Sequence, residues 1–153
     1  MGQTHFSGPV IAGTKIKGDA FGPNQGYAVL EQRVSLTQNS TNVVSATLYV
    51  PQNAEIIDIV VDTLTAFNSA TTAVLSVGKT AGGTEYASGV DAKTAGRVRP
   101  TFTAAQLAAM KNESVLGVAV AAANQNKTIV VSITPTGATS AGYVEATIIY
   151  AQV

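Results

Sequence analysis

The sequence predicts an all-β chain: a jelly-roll-like antiparallel β-sandwich with one short inserted helix at about 103–111 and an extended N-terminal arm. Apolar residues alternate with period two in segment after segment, turn-forming residues separate these segments at short spacing, and a single stretch carries helix caps. At 153 residues and 15.6 kDa the chain is long enough for one continuous core and short for two. Residues 1–24 are expected to form the arm and 25–153 a single sandwich domain.

The arm is broken by Gly8-Pro9, Gly13, Gly18 and Gly22-Pro23, so no helix can run through it. It carries Phe6, Val10, Ile11, Ile16 and Phe21, too apolar a set for a solvated tail. It should lie on a surface, either its own body or a neighbour. The alternating piece Thr14 to Lys17 can serve as an edge strand.

In the body, Tyr27 to Leu36 places Ala28, Leu30, Gln32, Val34 and Leu36 on one face and Tyr27, Val29, Glu31, Arg33 and Ser35 on the other. Val43 to Val50 is a second strand, stopped by Pro51. A third runs from Ala54 to Phe67, with Ile57, Ile59 and Val61 on one face and Asp58, Val60 and Asp62 on the other. Thr71 to Gly78 follows, then a Gly-rich loop to Thr84-Glu85-Tyr86-Ala87. Thr103 and Gln106 have the spacing of a capping box ahead of an alanine-rich helix that ends near Lys111 and Asn112. So short a helix is marginal alone, and Leu107 and Met110 should pin it to the sheet. Val115 to Ala122, Lys127 to Thr134 and Gly142 to Ala151 complete about eight strands, the number of a jelly roll.

Composition narrows the function. Charged residues are 12% of the chain, about half the usual share, and Thr, Ser, Asn, Gln, Ala and Gly take their place. Neutral polar groups desolvate at far lower cost than unpaired charges, which suits a subunit packed among neighbours. Net charge is +0, so the phosphate attraction on which nucleic-acid binding rests is absent. No membrane partner is expected either: the longest apolar run, Val115 to Ala123, is about half of a spanning length. The first residues contain no apolar signal core and Phe6 stands where a myristoylation motif needs Ser or Thr, so the chain is expected to remain in the cytoplasm where it is made until it is assembled.

Catalytic chemistry finds little to work with. There is no cysteine, and the one histidine, His5, lies in the arm, so nucleophilic triads and jelly-roll metal sites of several imidazoles have no ligands to build on. Asp58 and Asp62 share a strand face about 13 Å apart, too far for a glycosidase pair, and read as solvated. Lys79 to Thr84 lacks the order of a phosphate loop, and no calcium loop is present. The sequons at Asn39, Asn112 and Asn126 are without meaning in a chain that is not exported. No catalytic residue, metal or cofactor is expected, and no small-molecule substrate. Partner contacts are expected instead from the arm residues Phe6, Val10, Ile11, Lys15 and Lys17, and from Arg97 and Arg99. The last two flank Val98 and, if extended, project to the same side, where they can meet carboxylates or phosphates.

The stretch Phe67-Asn68-Ser69-Ala70-Thr71-Thr72-Ala73-Val74-Leu75-Ser76-Val77-Gly78, continued by Gly82-Gly83-Thr84-Glu85-Tyr86-Ala87 through Gly96-Arg97, resembles small structural proteins encoded with tailed-bacteriophage heads. The opening Phe6-Ser7-Gly8-Pro9-Val10 and the closing Tyr150-Ala151-Gln152-Val153 extend the likeness over most of the chain. The resemblance is to head decoration (cement) proteins. It implies a capsid-stabilising subunit on the virion exterior, a homotrimer whose partner is the major capsid protein, and it carries no position-specific binding motif. The alternative is a tail or fibre module binding host carbohydrate, for which Tyr27, Tyr49, Tyr86 and Tyr143 would be the aromatic platform in a chain without Trp. A small hydrolase, resting on the scattered carboxylates, is the third reading.

Overall fold

In the computed structural model, which describes residues 28–37, 40–51, 54–111 and 127–152, the alternating segments become eight strands and the capped stretch a helix. They are β1 (Ala28–Thr37), β2 (Val44–Val50), β3 (Ala54–Thr65), β4 (Ala73–Gly78), β5 (Ala87–Asp91), β6 (Gly96–Val98), α1 (Ala104–Met110), β7 (Lys127–Pro135) and β8 (Tyr143–Gln152). Two antiparallel four-stranded sheets result, ordered β1-β8-β3-β6 and β2-β7-β4-β5. The pairs β1/β8, β2/β7, β3/β6 and β4/β5 all form. A chain folded back on itself at β4/β5 and then rolled up gives these four pairs, which is the winding of a jelly roll.

The core lies between the sheets because the inward phase of each strand is apolar. Val144, Ala146, Ile148 and Tyr150 of β8, with Ile56, Ile59 and Val61 of β3 beside them, face Ile129, Val131 and Ile133 of β7 and Leu75 and Val77 of β4, all buried. Each such aliphatic side chain contributes roughly 1.5–3 kcal/mol on burial. The inward phase of β1 holds as read, with Leu36 buried and Gln32 and Val34 half-buried.

Three expectations about the strands need correction. Ile57 is exposed, because the register of β3 against β8 shifts between Ile56 and Asp58. That bulge moves Ile56 into the inward phase and turns Ile57 out. The fifth strand runs Ala87–Asp91, later than the Thr84 to Ala87 segment, because Thr84 to Tyr86 close the preceding loop. Gly96–Val98 is a strand that periodicity cannot reveal in three residues, and it takes the place in the count of eight that had been given to 115–122, a segment outside the described residues.

The helix forms as its caps require. The Thr103 hydroxyl accepts from the Gln106 N–H at 3.2 Å, and Gln106 Oε1 accepts from the Thr103 N–H at 2.9 Å. Met110 is buried as expected, but Leu107 is 48% exposed and Gln106 is buried in its place. The Gln106 amide donates to the Thr84 carbonyl and the Ser88 hydroxyl, so this helix is fastened by a polar bridge as well as by packing. Thr103→Ala should lower stability by about 1 kcal/mol and Thr103→Ser by much less. Urea midpoints at unchanged m-value test this; equal midpoints for the Ala variant and wild type would refute it.

Candidate interaction surface

The outward phase of the first sheet collects most of the described charge into ion pairs, made across its strands or with the segments just beyond β6 and α1. On β3 and β6, Asp62 stands opposite Arg97, whose Nε and Nη2 reach its two oxygens at 2.6 and 2.9 Å. Arg99 Nη1 donates to Asp58 at 2.8 Å, Arg33 pairs with Glu145 at 3.2 Å, and Lys111 pairs with Glu55. The Tyr143 hydroxyl also donates to Glu145. Asp58 and Asp62 are therefore paired, where the sequence alone suggested solvated carboxylates. Exposed pairs of this kind are screened by solvent and add little to stability, so their main effect is to set register and surface potential. Glu31 of β1 has no ion pair among the described residues.

The outward face of β2 and β7 is of another character: Ser45, Thr47, Tyr49, Thr128 and Thr134 are exposed there. The loop between β4 and β5 lies over this sheet, and its Gly82 N–H donates to the buried Ser132 hydroxyl at 2.9 Å. One end of the sandwich is laced by polar groups. Asn68 Oδ1 accepts from the N–H groups of Ser140 and Ala141, its amide donates to the Ser140 hydroxyl, and Lys93 Nζ donates to the carbonyls of Ser69 and Thr71.

The two long sides of the sandwich differ. Along β1 and β2 the sheets are joined, because the Gln32 amide, which also donates to the Tyr150 hydroxyl of its own sheet at 3.2 Å, donates to the Tyr49 carbonyl at 3.0 Å. Along β5 and β6 they part around a hollow of about 480 Å³ lined by Asp91, Thr94, Arg97, Val98 and Arg99 among others. Of the expected contact residues, Arg97 and Arg99 thus stand at an edge that no further strand covers among the described residues, each with its side chain 68% exposed, and the carboxylates they meet are Asp62 and Asp58. Phe6, Val10, Ile11, Lys15 and Lys17 lie outside the described residues, as do the asparagines of the three sequons. Sequence reading passed over the roles of Gln32 and Asn68. The available signal for Gln32 was an amide in the inward phase of an otherwise apolar strand.

Two carboxylates give the surface a pH dependence. The hydrogen bonds from Arg97 hold Asp62 below its ordinary 3.8, and those from its own N–H and that of Lys79 hold Glu85 below 4.5. Folded values below unfolded ones mean stability that is complete above the unfolded values and lost as pH falls through the folded ones. Thermal melts of wild type against Asp62→Asn/Glu85→Gln should differ most near about pH 7 and draw together as pH falls below about 4. A gap independent of pH would contradict the assignment.

Among the described residues no group of three or more His, Asp or Glu side chains gathers around a possible metal position, and no helix is long and apolar enough to cross a membrane. No protein-family model matches the sequence, and no curated protein does. Among solved structures, the chain is similar to one in the Cyanophage Pam1 capsid asymmetric unit, at 21% identity and a TM-score of 0.57, over 93% of this chain and 94% of that one. The rolled eight-stranded sandwich described here is thus a fold that this chain has in common with a component of a cyanophage capsid.

Proposed function

We propose that this chain is a structural protein of a bacteriophage virion, a decoration or cement subunit that binds the outside of the capsid lattice as a homotrimer and stabilises the head. The observation that carries the reading is the fold shared, over 93% of this chain, with a chain of a cyanophage capsid asymmetric unit. It agrees with the likeness of Phe67 to Arg97 and of the chain ends to phage head proteins, and with a surface poor in charge. The role is binding without catalysis, and the partner is the major capsid protein.

The mechanism is passive. Three copies of one surface turn individually weak contacts into avidity, and a partner that binds only the expanded lattice stabilises that lattice by mass action. The arm residues Phe6, Val10, Ile11, Lys15 and Lys17 supply apolar and cationic contacts to the shell. The test adds purified protein to expanded capsids that lack it. Co-sedimentation to saturation and a raised capsid melting temperature are expected, and removal of residues 1–24 should weaken binding at least about tenfold. A protein that leaves capsids unbound and their melting unchanged would end this reading.

A further inference from the structure

Among the described residues the sheet β1-β8-β3-β6 ends in two strands that have no partner on their outer side, β1 and β6. Open edges of this kind are templates for further pairing, and neither edge is blunted by a lysine. Each also presents an inward-phase apolar side chain that its own sandwich leaves uncovered. Leu30 of β1, opposite the buried Tyr150, is 42% exposed; Val98 of β6, opposite the buried Val61, is 41% exposed. In the outward phase β6 carries Arg97, with Arg99 just beyond it, and β1 carries Glu31, which has no ion pair among the described residues.

We infer that these two edges bind each other between copies: β1 of one subunit adds to β6 of the next and continues the sheet across the contact. Strand directions allow it. Every neighbour in the sheet is antiparallel, so β1 and β6 run in opposite directions, and rotation of a copy about an axis along the strands presents its β1 antiparallel to β6. One register satisfies both phases at once. With Arg97 opposite Glu31 of the second copy, Val98 falls opposite its Leu30 and Arg99 beside its Val29. The pleat then puts the apolar pair inward, over the hollow beside β6, and leaves Glu31 between two guanidinium groups on the outer face.

The contact is head-to-tail, using two different patches of the same chain, and such contacts close into a ring when the rotation allows. A ring of three would be the trimer of the proposed function, and only that copy number rests on the function proposal. The edge pairing itself stands on the strand order, the matching apolar pair and the charges.

The chain has no cysteine, so a disulfide can report the contact without background. Opposed residues in an antiparallel pair have Cα atoms about 4.5–5.5 Å apart, within disulfide reach. Inside one chain β1 and β6 are separated by two strands, roughly 14 Å across the sheet, which is too far. Oxidised Leu30→Cys/Val98→Cys protein should give a covalent ladder ending in a closed trimer, while each single variant yields at most a dimer. Glu31→Arg should raise the dissociation constant of the oligomer at least about tenfold with an unchanged circular dichroism spectrum. Glu31→Arg/Arg97→Glu, in an Asp62→Asn background that removes the carboxylate facing the new one, should restore it. A monomeric wild type, a double-cysteine variant that behaves like the singles, or an oligomer indifferent to Glu31→Arg would each overturn the edge pairing. Capsid binding by wild type, measured alongside, separates this from failure of the proposed function: trimers that form by this contact and ignore capsids would sink the decoration role alone.

Discussion

Phe67→Ala is expected to lower stability by about 3–5 kcal/mol, the range for removing a buried aromatic ring whose cavity cannot collapse. Phe67 is 2% exposed and lies two residues past the end of β3, where its N–H donates to the Ala92 carbonyl at 3.0 Å. The ring lies on the bare backbone of Gly142: a Cβ built there would stand 2.3 Å from the ring Cδ1. The cavity left by truncation would be walled by backbone, since Asn68 beside it locks the strand-connecting loop at Ser140 and Ala141. Those walls cannot move in without losing hydrogen bonds. Urea unfolding of Phe67→Ala and Phe67→Leu measures the effect, the Leu variant retaining most of the stability. A loss under about 1 kcal/mol for the Ala variant would mean that the rim closes over the space.

How much of this architecture could be read beforehand follows from the range of each interaction. β1, β2, β7 and β8 were legible because their inward residues are set by neighbours two positions apart, and the helix start because Thr103 and Gln106 bond across one turn. The phase of the helix was not. Over seven residues a helical stripe is too short to be fixed by its own pattern, and the polar partners Thr84 and Ser88 drew Gln106 inward while Leu107 turned out. The side chain of Ile57 was misplaced for a similar reason, since a bulge is decided by the partner strand. Arg97 and Arg99 were singled out by spacing alone, but that their companions are Asp62 and Asp58 depends on β6 returning to β3 across 35 and 41 positions. Strand order itself, which creates the open β6 edge, is a property of pairs of segments and has no local signature.

Gly78→Ala tests the other long-range arrangement, the loop laid over the second sheet, and should cost about 1–3 kcal/mol. Gly78 ends β4 and is buried beneath the loop that follows it. A Cβ there would stand 2.2 Å from Glu85 Oε2 and 2.4 and 2.7 Å from the backbone carbons of Gly83. The carboxylate could swing away, at the loss of its bond from the Lys79 N–H. The backbone of Gly83 cannot swing. It is held by the bond from its N–H to the Thr80 carbonyl, and the loop around it by Gly82 on Ser132 and Tyr86 on Val77. Relief therefore requires the loop to lift, uncovering Ser132, which is fully buried. Gly82→Ala is the contrasting case: nothing lies within 4 Å of its Cβ position, and its φ of +77° makes the cost one of backbone strain alone. Amide exchange separates the two. Gly78→Ala should expose the Gly82 N–H to solvent exchange while protection in β1 and β8 persists, because the loop is fastened to the other sheet. If Gly78→Ala melts with wild type and keeps that amide protected, the loop does not rest on Gly78 as described.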